Sequence, residues 1–81
     1  MKVLVTGGLG FIGSHTVVKL LEAKYDVVIV DNLYNSKLDV LDRIAKICGI
    51  KPKLYVEDVC NKEKLKEIFD IERVDAVIHF A

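Results

Sequence analysis

The sequence lacks an excess of either charge and contains no cluster of basic residues. Twelve acidic side chains balance twelve Lys and Arg side chains among its 81 residues. Proteins that bind nucleic acid or anionic membranes through electrostatics carry a basic patch. The charge pattern therefore gives no support for a nucleic-acid or membrane partner, and we expect a small-molecule ligand.

Long apolar runs are also missing. Apolar residues make up 52% of the chain, but they fall in short, interrupted runs. The first residues are typical of a strand, not of a charged segment followed by an apolar core and a small-residue cleavage site. The sequence therefore predicts neither a transmembrane span nor a signal peptide.

Cysteine and histidine are scarce, and their spacing matches no metal site. Cys48 and Cys60 form no CxxC motif, and His15 and His79 stand at no metal-ligand spacing. We interpret the cysteines as reduced thiols of a cytoplasmic protein and Cys48 as a core residue. His15 is interpreted as a packing or surface residue.

The apolar stretches predict four strands separated by three helices. The strands are Lys2–Thr6, Val27–Val30, Leu54–Val56 and Asp75–Ala81, and the helices run from Phe11 or Ile12 to Ala23, from near Lys37 to a stop at Gly49, and from Lys62 to about Phe69. Such alternation calls for right-handed crossovers and a parallel sheet. The predicted fold is α/β: the first half of a Rossmann-type doubly wound sheet, βαβαβαβ in strand order 3-2-1-4.

The sequence also predicts caps and apolar faces for these helices. Ser36 with Asp39 resembles a capping box, and Asn61 is a candidate N-cap. The first helix has two candidate apolar faces, and the other helices have one each. The candidate faces of the first helix are Ile12, Thr16, Leu20 and Ala23, or Val17, Leu20 and Leu21. The face of the second helix is Leu38, Leu41, Ile44, Ala45 and Cys48, and that of the third is Leu65, Ile68 and Phe69.

The predicted last strand has no partner on its outer side. A doubly wound domain normally continues through further strands beyond the fourth, so this strand would present an unpaired apolar edge. We expect residues 1–81 to be the N-terminal part of a longer dinucleotide-binding domain, with the rest of that domain and a substrate domain absent from this chain.

Three glycines follow the first strand in a GxxGxxG pattern. A strand that leads through glycines to a helix start directs unpaired N–H groups and the positive end of the helix dipole to one point, which suits a phosphate. We expect Gly7 to turn the chain, Gly10 to let a pyrophosphate approach, and Gly13 to bring the helix close to the strand. The alternative is a plain tight turn; a P-loop is excluded because no GK[ST] follows.

Asp31 ends the second strand, 18 positions after Gly13. This is close to the offset of roughly 20 residues at which a carboxylate binds the adenosine ribose of a dinucleotide. The alternative is an ordinary turn aspartate. A carboxylate here would repel a 2′-phosphate, so NAD is favoured over NADP, although Lys37 nearby weakens that preference.

Four segments together resemble one protein family. They are Thr6–Thr16 (TGGLGFIGSHT), Asp31–Ser36 (DNLYNS), Asp58–Val59 and Val77–Ala81 (VIHFA). Across all 81 residues the chain is similar to the extended short-chain dehydrogenase/reductase family, and DNLYNS is the discriminating segment. Phe11 stands where some members of the family have tyrosine.

The resemblance implies a cofactor role for each matching position. Phe11 and Ile12 would meet the NAD pyrophosphate through their backbone N–H groups, and Asp31 would hold the adenosine ribose. Asp58 and Val59 would lie at the adenine ring. The segment implied to wrap the ribose and phosphates is Asn32, Leu33, Tyr34, Asn35 and Ser36. The segment implied to flank the centre of the cofactor is Phe80 and Ala81.

The resemblance also implies an activity. Bound NAD would take a hydride from C4 of a UDP-hexose while a tyrosine of a YxxxK motif removes the hydroxyl proton, so that UDP-glucose and UDP-galactose interconvert; a homodimer is implied as well. No YxxxK motif occurs here, because Ile29, Leu38 and Val59 stand four positions after the three tyrosines. The alternatives are another nucleotide-sugar dehydratase or reductase, or a non-catalytic dinucleotide-binding module.

Overall fold

The computed structural model describes residues 1–33, 38–58 and 60–80. Its strands are β1 (Lys2–Thr6), β2 (Asp26–Asp31), β3 (Lys53–Val56) and β4 (Ala76–His79), and its helices are α1 (Phe11–Glu22), α2 (Leu38–Cys48) and α3 (Lys62–Glu72). The strands pair in parallel in the order β3-β2-β1-β4. The predicted fold class and strand order are confirmed.

Helices cover both faces of the sheet. Side chains alternate along β1, so Val3 and Val5 join one apolar cluster while Leu4 joins the other. The first cluster contains Val17 and Leu21 of α1 together with buried residues of α2, and the second contains Ile68 of α3. This two-sided burial explains why β1 and β2 are almost wholly apolar.

Several predicted boundaries and faces need correction. Ile12 and Leu38, which the helical periodicity placed on apolar faces, are 64% and 54% exposed. The buried positions of α1 include Val17 and Leu21, which favours the second of the two candidate faces. Residue 23 caps α1 instead of lying in it, β3 begins one residue earlier than predicted, and β4 covers only the middle of residues 75–81.

The ends of α2 and α3 test the predicted caps. The side chain of Asn61 accepts a hydrogen bond from Lys64 N, and Gly49 has φ of 71° directly after α2, so both caps are confirmed. The capping box at Ser36 lies outside the described residues. Helix α3 continues to Glu72, three residues beyond the predicted Phe69, and ends at Arg73 in the left-handed region.

The two cysteines differ in burial, and Cys48 is less buried than predicted. Both thiols are free; Cys60 is exposed and Cys48 is half-buried against the first apolar cluster. Burial, reinforced by the charge of Glu22, raises the pKa of the Cys48 thiol. Within the described residues, no helix combines the length and apolar character needed to cross a bilayer.

Glu72 is a buried carboxylate at the amino ends of the strands. Its side chain is 6% exposed and pairs with Lys53 Nζ at 2.7 Å and Lys2 Nζ at 3.3 Å, and the Tyr55 hydroxyl donates to it. The hydrogen bond from Lys53, followed by that from Tyr55, lowers the pKa of Glu72 to about 2. These contacts connect α3 to β1 and β3.

Glu72 should make stability dependent on pH in the acid range. Its pKa is about 2 in the folded protein against 4.5 for an ordinary carboxyl, so its contribution is complete above pH 4.5 and is lost as pH falls towards 2. We expect Glu72→Gln to lower the free energy of unfolding by about 2 kcal/mol at pH 7, because the lysines lose their buried carboxylate partner; the loss is no larger because these lysines are partly solvated. The substitution should also flatten the acid limb of a pH–stability curve from urea unfolding.

The matched control is Glu67→Gln, which removes an exposed carboxylate 3.7 Å from Lys64 Nζ. This change should leave stability within about 0.5 kcal/mol of the unmodified protein. Equal effects of the two substitutions would contradict a stabilising role for the buried cluster.

Lys24 has a backbone conformation that suits glycine. It follows the C-cap of α1 with φ of 71°, and its N–H donates to Leu21 O at 3.0 Å. A side chain at such a position costs about 1 kcal/mol. We expect Lys24→Gly to raise the free energy of unfolding by roughly 0.5–1 kcal/mol, measured by urea unfolding. Lys24→Ala keeps the Cβ and should bring no such gain; an equal gain in both variants would locate the cost in the lysine side chain.

Candidate functional site

The carboxyl ends of the strands bring the predicted site segments to one edge of the sheet. Thr6 is in register with Val30 of β2 and with His79 of β4, so the residues that follow these three strands are neighbours. Gly7 N donates to Val30 O at 2.8 Å and anchors the glycine turn to β2. We call Gly7–Gly13, Asp31–Leu33 and Phe80 the strand-end site.

The glycine turn is closed by short backbone contacts. Gly7 has φ of 68°, and its carbonyl accepts from Gly10 N at 3.1 Å. A Cβ on Gly13 would lie 2.2 Å from Gly7 O, so α1 can start this close to the turn only because residue 13 has no side chain. The turning role of Gly7 is confirmed, and Gly13 approaches the turn itself. Gly8 has no role in the predicted pattern, yet a Cβ on it would lie 2.7 Å from Ile29 Cγ2.

The first turn of α1 directs backbone donors towards this edge. Gly10 is the N-cap, and Ser14 N makes the first intrahelical bond, to Gly10 O at 2.8 Å. The amides of Phe11, Ile12 and Gly13 therefore have no carbonyl within the helix. Among the described residues, no side chain caps this helix and its first turn contains no acidic residue. A helix start of this kind favours an anion.

The Asp31 side chain faces the glycine turn. It is 5% exposed; Oδ2 accepts from Leu9 N at 3.1 Å and Oδ1 accepts from Leu33 N at 2.8 Å. The carboxylate therefore fixes the turn after β1 and the chain after β2 at the same time. This geometry meets the requirement that Asp31 lie beside the turn, while contact with a ribose stays a prediction.

The remaining predicted positions are only partly within the described residues. Asp58 follows β3 at the same edge of the sheet, is exposed, and accepts from Cys60 N at 2.8 Å. Asn32 is exposed beside Asp31, and the Phe11 side chain is 83% exposed and contacts the His15 ring edge-on. The predicted cofactor contacts that lie outside the described residues are those of Tyr34, Asn35, Ser36, Val59 and Ala81.

A hydrogen-bond cluster between β1 and β4 was missed by the sequence analysis. Thr6 is 2% exposed, and its Oγ1 lies 2.6 Å from His79 Nδ1 and accepts from Phe80 N at 3.2 Å. The only sequence signal was a hydroxyl residue that ends an otherwise apolar strand directly before Gly7. His79, whose spacing gave no support for a metal site and which otherwise stood only within the VIHFA segment, contacts the end of β1 from β4.

A second open region lies away from the strand-end site. A cavity of about 450 Å³ opens at the amino ends of the strands and is lined by Lys2, Tyr25, Val28, Pro52 and Glu72 among others. Ligands of parallel sheets bind beyond the carboxyl ends of the strands. We therefore place the functional site at the opposite end from this cavity.

Comparison with known proteins gives matches over nearly the whole chain. The family model described as "NAD dependent epimerase/dehydratase family" matches residues 3–81. The chain is 52% identical over 81 residues to the UDP-glucose 4-epimerase of Yersinia enterocolitica, covering 100% of this chain and 24% of that protein. The chain thus spans about a quarter of the length of the curated relatives that it matches.

Two solved structures superpose closely. The UDP-glucose 4-epimerase of Stenotrophomonas maltophila, crystallised with NAD and formylated UDP-arabinopyranose, gives a TM-score of 0.98 at 43% identity. That of Bifidobacterium longum, in complex with NAD⁺ and UDP, gives 0.96 at 44% identity. Each match covers 100% of this chain and 24% of the other. Because the family model matches residues 3–81, nearly the whole of this chain, the chain belongs to the NAD dependent epimerase/dehydratase family.

Proposed function

We propose that residues 1–81 form the NAD-binding portion of a UDP-hexose 4-epimerase that interconverts UDP-glucose and UDP-galactose, an isomerase of galactose metabolism acting in the cytoplasm. The observation that carries the proposal is the double hydrogen bond of Asp31, which holds the glycine turn beside the end of β2. The epimerases with similar sequences and structures support it.

The residues at the strand ends fit a dinucleotide. The free amides of Phe11, Ile12 and Gly13 offer donors to a diphosphate, and Gly10 leaves the approach open because it has no side chain. Asp31 accepts from the amides of Leu9 and Leu33 through its two carboxylate oxygens, and each oxygen of a carboxylate can accept more than one hydrogen bond. It would accept from the ribose hydroxyls and repel a 2′-phosphate, which favours NAD.

The remaining contacts follow the resemblance. Asp58 and Val59 would bind adenine, the loop from Asn32 to Ser36 would surround the ribose and phosphates, and Phe80 and Ala81 would flank the centre of the cofactor. When bound, NAD supplies a hydride acceptor for the substrate. Binding and orientation are the tasks of this chain; the general base and the sugar site would lie in the part of the relatives' length that it does not cover.

The full-length gene product tests the proposal. We expect it to retain NAD through purification, detected by absorbance after acid release, and to interconvert UDP-glucose and UDP-galactose, followed by NMR of the sugar anomeric protons. NAD retention without interconversion would contradict the epimerase assignment. Absence of NAD, with no binding on addition, would contradict the cofactor site itself.

A second candidate within the same family is a nucleotide-sugar dehydratase, because the matching family model includes both activities. The same NMR assay separates the two. An epimerase yields the 4-epimer of unchanged mass, whereas a dehydratase yields a 6-deoxy-4-keto sugar that has lost water. The full-length protein is further proposed to be a homodimer, which sedimentation equilibrium would test.

A further inference from the structure

The hydrogen bonds of Thr6 determine where its hydroxyl proton points. Oγ1 accepts from Phe80 N at 3.2 Å and lies 2.6 Å from His79 Nδ1. The same Phe80 N–H also donates to Thr6 O at 3.0 Å, so Thr6 contacts this amide through both of its oxygens. The Nδ1 atom of His79 can either accept a hydrogen bond from the Thr6 hydroxyl or carry a proton and donate to it. Only the first arrangement gives the Thr6 hydroxyl proton a partner.

If Nδ1 accepts, the Thr6 proton is directed at the ring and the oxygen receives Phe80 N–H. If Nδ1 carries a proton, the oxygen receives both donors, and its own proton has no partner in this cluster at a side chain that is 2% exposed. An unsatisfied buried hydroxyl is unfavourable. We therefore assign to His79 the neutral tautomer with its proton on Nε2.

We propose that His79 is a positioning residue of the strand-end site and acts through the Thr6 hydroxyl; this inference rests on the proposed NAD-binding function. Thr6 immediately precedes Gly7, and Phe80 immediately follows His79, so the bond joins the starting points of two site segments. Nδ1 fixes the direction of the Thr6 proton, which leaves the Thr6 oxygen to hold the Phe80 amide.

A metal-ligand role for this histidine has no support. Within residues 1–33, 38–58 and 60–80, no group of three His, Cys, Asp or Glu side chains could hold a metal ion. Nδ1 contacts the hydroxyl of a buried residue in the sheet, so the effect of this contact on a ligand would pass through Thr6.

Substitutions of His79 in the full-length protein separate the effect of its hydrogen-bond acceptor from the effect of its side-chain size. In His79→Asn, Oδ1 replaces Nδ1 at nearly the same position; in His79→Gln the amide lies one carbon further from the backbone; in His79→Leu the acceptor is gone. We expect the NAD dissociation constant, measured by calorimetry, to stay within about twofold of wild type for Asn. For Gln and Leu it should rise about fivefold, the effect of one lost hydrogen bond.

A double-mutant cycle tests the route of the effect. If His79 acts through Thr6, then His79→Leu should cause little further loss of NAD affinity in a Thr6→Val background. The ¹⁵N chemical shifts of the His79 ring should report an unprotonated Nδ1 and a protonated Nε2 in wild type. Thermal unfolding without NAD identifies any variant that fails to fold.

The outcomes separate this inference from the function on which it rests. Wild-type protein that binds NAD while the Asn and Leu variants bind equally well, additive losses in the cycle, or an Nδ1–H tautomer would each overturn the inference and leave the proposed function standing. Wild-type protein with no affinity for NAD would overturn both.

Discussion

Gly13→Ala should lower the free energy of unfolding of the full-length protein by about 3 kcal/mol and abolish NAD retention. The added Cβ would lie 2.2 Å from Gly7 O and 3.1 Å from Gly8 Cα. Both contacts are with backbone, which cannot rotate away as a flexible side chain would, so either α1 or the glycine turn must shift. Urea unfolding and measurement of acid-released nucleotide would give the two effects.

The matched control is Gly10→Ala, three residues earlier in the same turn. Gly10 has φ of −73°, which alanine adopts freely, and its Cβ would approach only Gly7 O, at 3.3 Å. We expect a loss of stability of less than about 1 kcal/mol, together with a weaker affinity for NAD because the methyl group would lie where the diphosphate approaches. Equal stability losses for the two glycines would contradict the close-approach explanation.

Asp31→Ala should raise the NAD dissociation constant at least tenfold and cost about 2 kcal/mol of stability. The substitution removes the acceptor for Leu9 N and Leu33 N. A buried amide that loses its partner costs roughly 1–3 kcal/mol, and the lost ribose contact is added to this in binding. Calorimetric titration with NAD, alongside urea unfolding, measures both quantities.

Asp39→Ala is the control for charge. Asp39 lies in the first turn of α2, and its exposed carboxylate is 3.8 Å from Arg43 Nη2. An exposed pair of this kind contributes about 0.5 kcal/mol or less, and we expect NAD affinity to be unchanged. If the two aspartates had equal effects on NAD affinity, Asp31 would have no special role in the site.

The fold was predictable because its signals are local. Val27–Val30 is an uninterrupted β-branched run, and Gly49 and Asn61 are residues whose chemistry suits helix ends, so the order of elements followed from neighbouring residues alone. The predicted end of α3 was wrong for the opposite reason. Glu72 resembles a solvated residue until Lys53 and Tyr55, which lie 17 or more positions earlier, surround it in the folded chain.

The site, like the fold, has features that local sequence signals predict and features that depend on residues far apart in the chain. Gly7 and Gly13 act within one turn and were found from their spacing, and Asp31 was found from its distance along the chain to that turn. The contact of Thr6 with His79 spans 73 positions and exists only because β4 pairs with β1. Ile12 shows the limit of periodicity: its helical position suggested burial, but in the first turn of α1 its side chain is 64% exposed.

The Glu72 cluster and the strand-end site lie at opposite ends of the same strands. Lys2, at the start of β1, is bound to Glu72, whereas Thr6, at the end of β1, leads into the glycine turn. The lysines around Glu72 can therefore be redesigned for a more acid-tolerant protein while the glycine turn is kept. The converse does not hold, because a redesign for a different cofactor would change Gly13 or Asp31, whose contacts also support the fold.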